Sequence, residues 1–499
     1  MAKLVAQLLF GFFVSLSVAT AQPQGDYEVL RDQMVVAMSQ LGAPLADASD
    51  VAVLSEPALD AVLPPIDGAF VPPDLAQMPP AKLQMIDLRV ALVQLSIFAG
   101  TNDQLTVVRA QPADAPQVIA IQHGSITLPE IIAWIAEQPT AEKLWTDDML
   151  RVPLVVLDGA RLIVSNGAML QLSRTDGAFL LNLGTLIVDG GGISAAGDPN
   201  PIVPDYAPFV VTAGSGIAQI SHALIENLGF SKASAFTGLS VVNKGLYPPI
   251  GQSFIIDSVL RDIGQVTLLG APGAYVEGNI LTGGTHAGLA LNRTSGVVVR
   301  RNLLTKTVGS AAIKVTDGAT GSQVTGNFIF DNETTGVVVT RGSRDTTLQH
   351  NVLWRNAGVG ISVNRADCTR IIDNLAMENR KKGIELRTGR NATIAANRVF
   401  GNHSAGLLIA DQPNGNETLV TENVFAGNRV GVASASAHML TLRQNDLRGQ
   451  FPRLVEGDLS SEANRIMRDL TGDDDLRFTV GGIEAFGGSG DACDFGGES

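Results

Sequence analysis

The chain has 499 residues, of which 45% are hydrophobic, only 5% are aromatic and 53 are glycine. Many small and aliphatic residues with few aromatics suit stacked thin layers better than one globular core, and this length leaves room for several domains or one long solenoid. A formal net charge of −14 argues against a general nucleic-acid binder.

In chain order, Lys3, the apolar run from Leu4 to Val18 and the small-x-small site Ala19-Thr20-Ala21 read as an export signal over residues 1–21. The mature chain is then expected to start at Gln22 and to be soluble in the periplasm or outside the cell, because no later stretch is long and apolar enough to span a bilayer. Residues 22–148 read as a mixed capping region. It holds a helix-like stretch (Asp26 to Leu41), a Pro-rich linker (Pro64-Pro65, Pro72-Pro73, Pro79-Pro80) and a small α/β unit. Within that unit Leu83–Phe98 fits helix or strand, and Ile131–Glu137 reads as an amphipathic turn of helix that caps the C-terminal body of the chain.

The texture changes near Val152. An asparagine recurs before an apolar pair at Asn279, Asn302, Asn327, Asn351, Asn374, Asn397, Asn423 and Asn445, with gaps of 22 to 26 residues. A second row follows about five residues later at Asn332, Asn356, Asn379, Asn402 and Asn428, and then a glycine row at Gly288, Gly336, Gly360, Gly383, Gly406 and Gly431. Such a period marks a solenoid, because one repeat cannot bury its apolar face alone. A leucine-rich repeat needs a leucine frame and a helical segment, whereas these runs are short and rich in Val and Ile. The expectation is an all-β fold over residues 149–455, a right-handed parallel β-helix of about 12 coils. Asparagine suits the corners because it tolerates left-handed backbone angles and can bond its neighbours along the stack. Residues 232–252 break the period and read as a protruding loop. Residues 456–499 read as a disordered acidic, Gly-rich tail. A Cys368–Cys493 disulfide is permitted by the compartment but not indicated by the sequence. No His/Cys cluster has ligand spacing, and Asp473, Asp474 and Asp475 read as solvated, so no metal or cofactor is expected.

Alternate residues of a strand face opposite ways. With the Val and Ile after each glycine turned inward, the outward pairs are Ala290/Asn292, Lys314/Thr316, Val338/Thr340, Ser362/Asn364, Glu385/Arg387 and Leu408/Ala410. Arg293, Asp317, Arg341, Arg344, Asp345, Arg365, Asp367, Arg390 and Asp411 follow the strands and line the adjoining turn. Between Arg293 and Arg398 basic residues outnumber acidic ones about two to one, against the balance of the whole chain. Asn292, Arg293, Lys314, Arg344, Asn364, Arg365, Lys381, Lys382, Arg387 and Arg390 are therefore the candidates for binding an anionic polysaccharide, with uronate polymers the natural ligand for an extended groove.

The chain resembles the periplasmic mannuronan C-5 epimerase family from about Pro153 to Asp411. The resemblance is clearest at Gly177–Asn182 through Val188-Asp189, at Pro208-Phe209, at Leu228-Gly229-Phe230 and at Ile255–Ser258. It implies a right-handed β-helix that handles alginate or a related uronate polymer during export, with an exopolysaccharide export complex as a further partner. The family's signature strand reads Asp-Pro-His-Asp, its histidine serving as the base at C-5 while an arginine of the next coil neutralises the sugar carboxylate. The matching stretch here is Leu289-Ala290-Leu291-Asn292-Arg293. Asn292 stands at the histidine position, Ala290 at the first aspartate, and the arginine position falls near Asp317, with Lys314 close by. Asparagine is no base at neutral pH. The catalytic candidates are then His286, a few residues before that strand, and Arg341 and Glu385 further along, Glu385 serving as base if its pKa is raised. Three functions remain open: an epimerase or lyase, a noncatalytic scaffold guiding or shielding the polymer, and a hydrolase built on Asp317, Asp345, Asp367 and Asp411.

Overall fold

The computed structural model describes residues 27–36 (save 33), Cys493 and residues 70–483 apart from 74–75, 100–102, 113–116, 244–247, 250 and 482. The expected export signal and the first part of the Pro-rich segment lie outside the described residues. The chain divides into two compact units, Gly68–Thr294 in one and Met1–Asp67 with Ser295–Ser499 in the other.

Both units are built from coils that visit three parallel sheets in turn, here called I, II and III. One coil runs through Thr347–Gln349 in sheet I, Val352–Trp354 in sheet II and Ile361–Asn364 in sheet III. This is the expected right-handed parallel β-helix. Sheet III has six strands from Leu154–Val156 to Leu289–Asn292 in the first unit and six from Ala311–Thr316 to Val430–Ala435 in the second. Inward positions of sheet III such as Val337, Val339, Ile361, Val363, Ile384 and Leu386 are fully buried. Each contributes about 1.5–3 kcal/mol of apolar burial.

The asparagines hold the corners of the second unit. One row turns sheet I into sheet II. The Nδ2 groups of Asn302, Asn327, Asn351, Asn374, Asn397 and Asn423 each donate to Oδ1 of the next asparagine at 2.9–3.0 Å. The other row turns sheet II into sheet III and runs through Asn332, Asn356, Asn379 and Asn402 at 2.9–3.0 Å, after which Asn428 donates to Oε1 of Gln450 at 3.1 Å. The glycine before each sheet III strand is there for space. A Cβ on Gly383 would lie 2.5 Å from Val399 and 2.8 Å from Asn402. The third corner follows sheet III, and its first residue is left-handed: Asp317, Arg341, Arg365 and Asp411 have φ of 54–57°.

Several expectations need correction. The solenoid starts earlier than residue 149, since Gln117–Gln122 pairs in parallel with Leu154–Val156. Leu83–Phe98 is strand and then helix: Lys82–Asp87 pairs antiparallel with Gln117–Gln122, and Leu88–Ala99 follows as a helix. Asp87 marks the switch, accepting the Arg89 N–H at 2.8 Å. The helix Leu128–Ala136 buries Leu128, Ile131 and Ile135 against the first sheet I strands, Gly124–Thr127 and Ala160–Ser165. Residues 70–73 and 76–80 are no free linker. Phe70 stacks on Tyr275 at 4.6 Å, and Ser125 N–H donates to Pro79 O at 2.8 Å. Within 232–252, Gly238–Val242 is a sheet III strand, paired with Val210–Ala213 and Gln265–Leu269, so only its flanks are loop.

Residues 456–481 of the expected tail are folded. A 3-10 turn (Asp458–Glu462) and a helix (Ala463–Met467) lead to strand Leu476–Thr479, which runs antiparallel to Met439–Arg443. Leu459, Ile466, Leu476 and Phe478 are buried beneath it. A parallel stack ends on an unpaired edge, and this reversed strand covers it. Cys368 and Cys493 form a disulfide across 125 residues, which the sequence did not indicate. In the same unit, the helical residues 27–36 pack on the outer side of sheet II, where the Tyr27 hydroxyl and the Trp354 indole both donate to Glu378 at 3.0 Å.

Candidate functional site

The outer face of sheet III differs between the two units. In Gly68–Thr294 its first coils are covered. Val155, Leu181 and Val211 stack in register and join Phe179, Tyr206, Phe209, Phe236 and the helix residues Leu88, Ala91 and Leu95 in one apolar cluster. Phe179 and Phe209 stack with ring centroids 5.0 Å apart. Three of the segments that carry the family resemblance, at Gly177–Asn182, Pro208-Phe209 and Leu228–Phe230, therefore belong to a packed cap. Next come the buried hydroxyls of Thr237 and Thr267, 2.8 Å apart.

The last strand of this unit carries Ala290 and Asn292, in register with Thr267 and Leu269. Asn292 Oδ1 is buried with no hydrogen-bond partner among the described residues. Arg293 follows at the corner, exposed and left-handed. His286 sits in the turn before the strand, half-buried, its backbone N–H donating to Gly264 O at 2.9 Å. Burial lowers its imidazole pKa; a hydrogen bond to the Thr285 backbone opposes this and the Lys232 charge adds to it, and the net shift is downward. The ring is therefore neutral at pH 7, the protonation state a general base needs.

In the second unit Lys314, Val338, Thr340, Ser362, Glu385 and Arg387 are half-buried on this face and Asn364 is exposed, while Thr316, Leu408 and Ala410 are buried. The outward rows run Lys314–Val338–Ser362–Glu385–Leu408 and Thr340–Asn364–Arg387–Ala410, in the expected register. Asp317, Arg341, Arg365 and Asp411 lie at the rim, one residue past the strands. Arg344 and Asp367 bridge adjacent coils further round that corner, where Arg390 N–H donates to Asp367 Oδ1 at 3.0 Å. The Arg380-Lys381-Lys382 run divides. Arg380 and Lys381 are exposed on the opposite rim, entering sheet III, whereas Lys382 reaches the face.

Glu385 is the only carboxylate on the sheet III strands between Ala311 and Ala435. Its Oε1 accepts from Lys382 Nζ at 2.9 Å and from Arg387 Nε at 2.8 Å, and Arg387 Nη1 continues to Asp411 at 2.8 Å. Burial alone would raise the Glu385 pKa. The hydrogen bonds from Arg387 and Lys382 outweigh it, and the net shift is downward. The raised pKa on which its role as a base depended is not found. Arg341 is 67% exposed and 3.4 Å from Asp317, a loose pair that leaves much of the guanidinium open to solvent. Arg365 and Asn364 are exposed on the next coil. The turn aspartates have local duties: Asp317 faces Arg341, Asp411 holds Arg387, and Asp367 accepts a backbone N–H.

Sequence reasoning missed the aromatic cap, whose phenylalanines fall in irregular segments without a repeat. Among the described residues, no helix is long and apolar enough to cross a membrane.

A family model described as periplasmic copper-binding protein (NosD) matches residues 250–449. The mannuronan C5-epimerase of Pseudomonas putida is 24% identical over 312 residues, covering 58% of this chain and 59% of its own. That of Azotobacter vinelandii is 26% identical over 328 residues, covering 63% and 62%. The chain thus spans about three fifths of the length of these curated relatives. The crystal structure of the periplasmic alginate epimerase AlgG superposes with a TM-score of 0.59 at 18% identity, covering 78% of this chain and 98% of that one. By these matches the chain is a parallel β-helix protein that resembles the mannuronan C5-epimerases, as its sequence suggested.

Proposed function

We propose that the outer sheet III face of the second unit binds an anionic polyuronate such as alginate, in the periplasm or outside the cell. The observation that carries this is the charge arrangement. Lys314, Arg341, Arg344, Arg365, Lys381, Lys382, Arg387 and Arg390 lie on or beside one face, while Glu385 on the face and Asp411 at its rim are ion-paired with Lys382 and Arg387. Exposed guanidinium groups on successive coils suit carboxylates repeated along a polymer, because a planar fork matches a carboxylate and needs no reorganisation. The hydroxyl and amide of Ser362 and Asn364 lie between these charges and suit sugar hydroxyls.

On this face the chemistry is binding. Abstraction of the C-5 proton needs a base with an available lone pair beside a cation that masks the sugar carboxylate. Glu385 is held as an ion-paired carboxylate and is unsuited to that task. A second reading rests on His286, a half-buried neutral imidazole under the influence of the Lys232 charge. A base and a cation together are what an epimerase or lyase step requires. One sample tests both readings: polymannuronate incubated with the protein in deuterated water and followed by proton NMR, with binding measured in parallel. Binding without exchange supports the scaffold. Deuterium at C-5 that disappears in His286→Gln supports the enzyme. Absence of binding refutes the assignment of the polymer.

A further inference from the structure

Two cations of the second unit's sheet III face, Lys382 and Arg387, are held by carboxylates of the same chain. We infer, resting on the polyuronate reading of this face, that Glu385 is a built-in competitor for polymer carboxylates. It occupies Lys382 and Arg387, so that a polyuronate is gripped loosely at this coil and firmly at the coils of Arg341 and Arg365.

Alternation along the strand Ile384–Arg387 puts Glu385 and Arg387 on the same outer side, two residues apart. Their side chains meet directly, Arg387 Nε donating to Glu385 Oε1 at 2.8 Å. Lys382, three residues before Glu385, donates to the same oxygen at 2.9 Å. Arg387 Nη1 donates to Asp411 of the next coil at 2.8 Å. With Nε and Nη1 both engaged, Arg387 has fewer donors left for a polymer carboxylate than an unpaired guanidinium offers.

The neighbouring coils differ. Arg365 follows the strand Ile361–Asn364 and is exposed. Arg341 follows Thr335–Thr340, is exposed, and meets Asp317 only at 3.4 Å. Lys382 and Arg387 still keep 24% and 38% of their side-chain surface, so a polymer laid on the face reaches them. Their charges and those of Glu385 and Asp411 sum to zero, however, and a patch without net charge attracts a polyanion weakly. Substituting a polymer carboxylate for that of Glu385 only replaces one ion pair by another. It also leaves the displaced acid, whose side chain is 12% exposed, without its partners. The exchange is therefore unfavourable while Glu385 is charged. A polymer held in this way can let go of the Glu385 coil and keep its hold on the coils before it, which suits a chain in transit along the face.

The test is calorimetric titration of polymannuronate into the full chain and into Glu385→Gln over a series of salt concentrations. Glutamine keeps the shape of the side chain and removes its charge. The expected result is an affinity about tenfold higher in Glu385→Gln, because charged hydrogen bonds become available to the polymer. The plot of log affinity against log salt should steepen by about one to two as the two cations are released to the polyanion. Adding Lys382→Gln and Arg387→Gln to Glu385→Gln should cancel the gain. Asp411→Asn, which frees Arg387 Nη1, should raise the affinity by a smaller factor. An unmodified chain that binds, beside a folded Glu385→Gln that binds no more tightly and with the same salt slope, overturns the competitor and leaves the polyuronate reading standing. A gain that survives in the triple variant overturns it too. If Glu385→Gln does not fold, an Asp411→Asn chain no tighter than the unmodified one has the same meaning. Binding by none of these chains overturns the competitor and the polyuronate reading together.

Discussion

Replacing Asn374 by alanine tests whether the asparagine rows bear the weight assigned to them. Asn374 is 1% exposed. Its Nδ2 donates to Asn397 Oδ1 at 3.0 Å and to Leu348 O at 2.9 Å, and its Oδ1 accepts both the backbone N–H and the Nδ2 of Asn351, at 2.9 and 3.0 Å. Truncation leaves Asn397 its bond from the Asn374 backbone and leaves Asn351 Nδ2 its bond to Val324 O. The Leu348 carbonyl and the Asn351 N–H lose their asparagine partner in a buried corner. Each such group costs about 1–3 kcal/mol, so the loss should total about 2–6 kcal/mol. Urea unfolding followed by far-UV circular dichroism and by fluorescence measures it. Asn364→Ala, on the exposed face, is the control and should change stability by less than about 0.5 kcal/mol. If Asn374→Ala unfolds within about 1 kcal/mol of the unmodified chain, the rows merely fill corners and the explanation given for the repeat is wrong.

Other consequences are open to measurement. Cys493→Ser should lower the unfolding midpoint, by an amount corresponding to about 2–5 kcal/mol in the chain-entropy argument, and added reductant should then have no further effect. An unchanged midpoint would show that the link adds nothing. The Glu385 pKa is depressed in the fold, so its contribution is present above the ordinary carboxylate pKa of about 4.3 and is lost as pH falls through the lower folded value. The stability gap between the unmodified chain and Glu385→Gln should therefore close on acidification, and a pH-independent gap contradicts the ion-pair account. The Tyr27 phenol is pushed up to about 12 by burial and by the neighbouring Glu378 carboxylate. Its contribution is present below pH 10 and disappears as pH rises through 12. Hydrogen exchange over residues 27–36 should accelerate in that window and should do so already at neutral pH in Tyr27→Phe. No difference between the two chains at neutral pH would argue against docking through Glu378.

Much of the fold was legible because a solenoid repeats its constraints. Asn327, Asn351 and Asn374 meet the same corner on successive coils, and Gly360 and Gly383 the same lack of space, so recurrence exposed them. The outward register of Ser362/Asn364 and Glu385/Arg387 followed from strand alternation alone. What stayed hidden happens once. Leu476 and Phe478 close the end of the stack, Gly238–Val242 enters sheet III without its asparagines, and Phe70 docks against the rings of Phe254 and Tyr275. The Cys368–Cys493 link depends on the tail folding back, which no local pattern announces. The state of Glu385 was out of reach for a related reason: its sign is set by a contest between burial and two cations, and only the distances to Lys382 and Arg387 decide it.

The most direct test of the central claim is calorimetric titration of polymannuronate into the full chain and into Arg341→Ala/Arg365→Ala, at low and at raised salt. Charged hydrogen bonds of about 1.5–3 kcal/mol each predict at least a tenfold weaker polymer affinity in the double variant, and binding to the unmodified chain that weakens with salt. Equal affinity for both chains, or binding indifferent to salt, would contradict the assignment of the sheet III face.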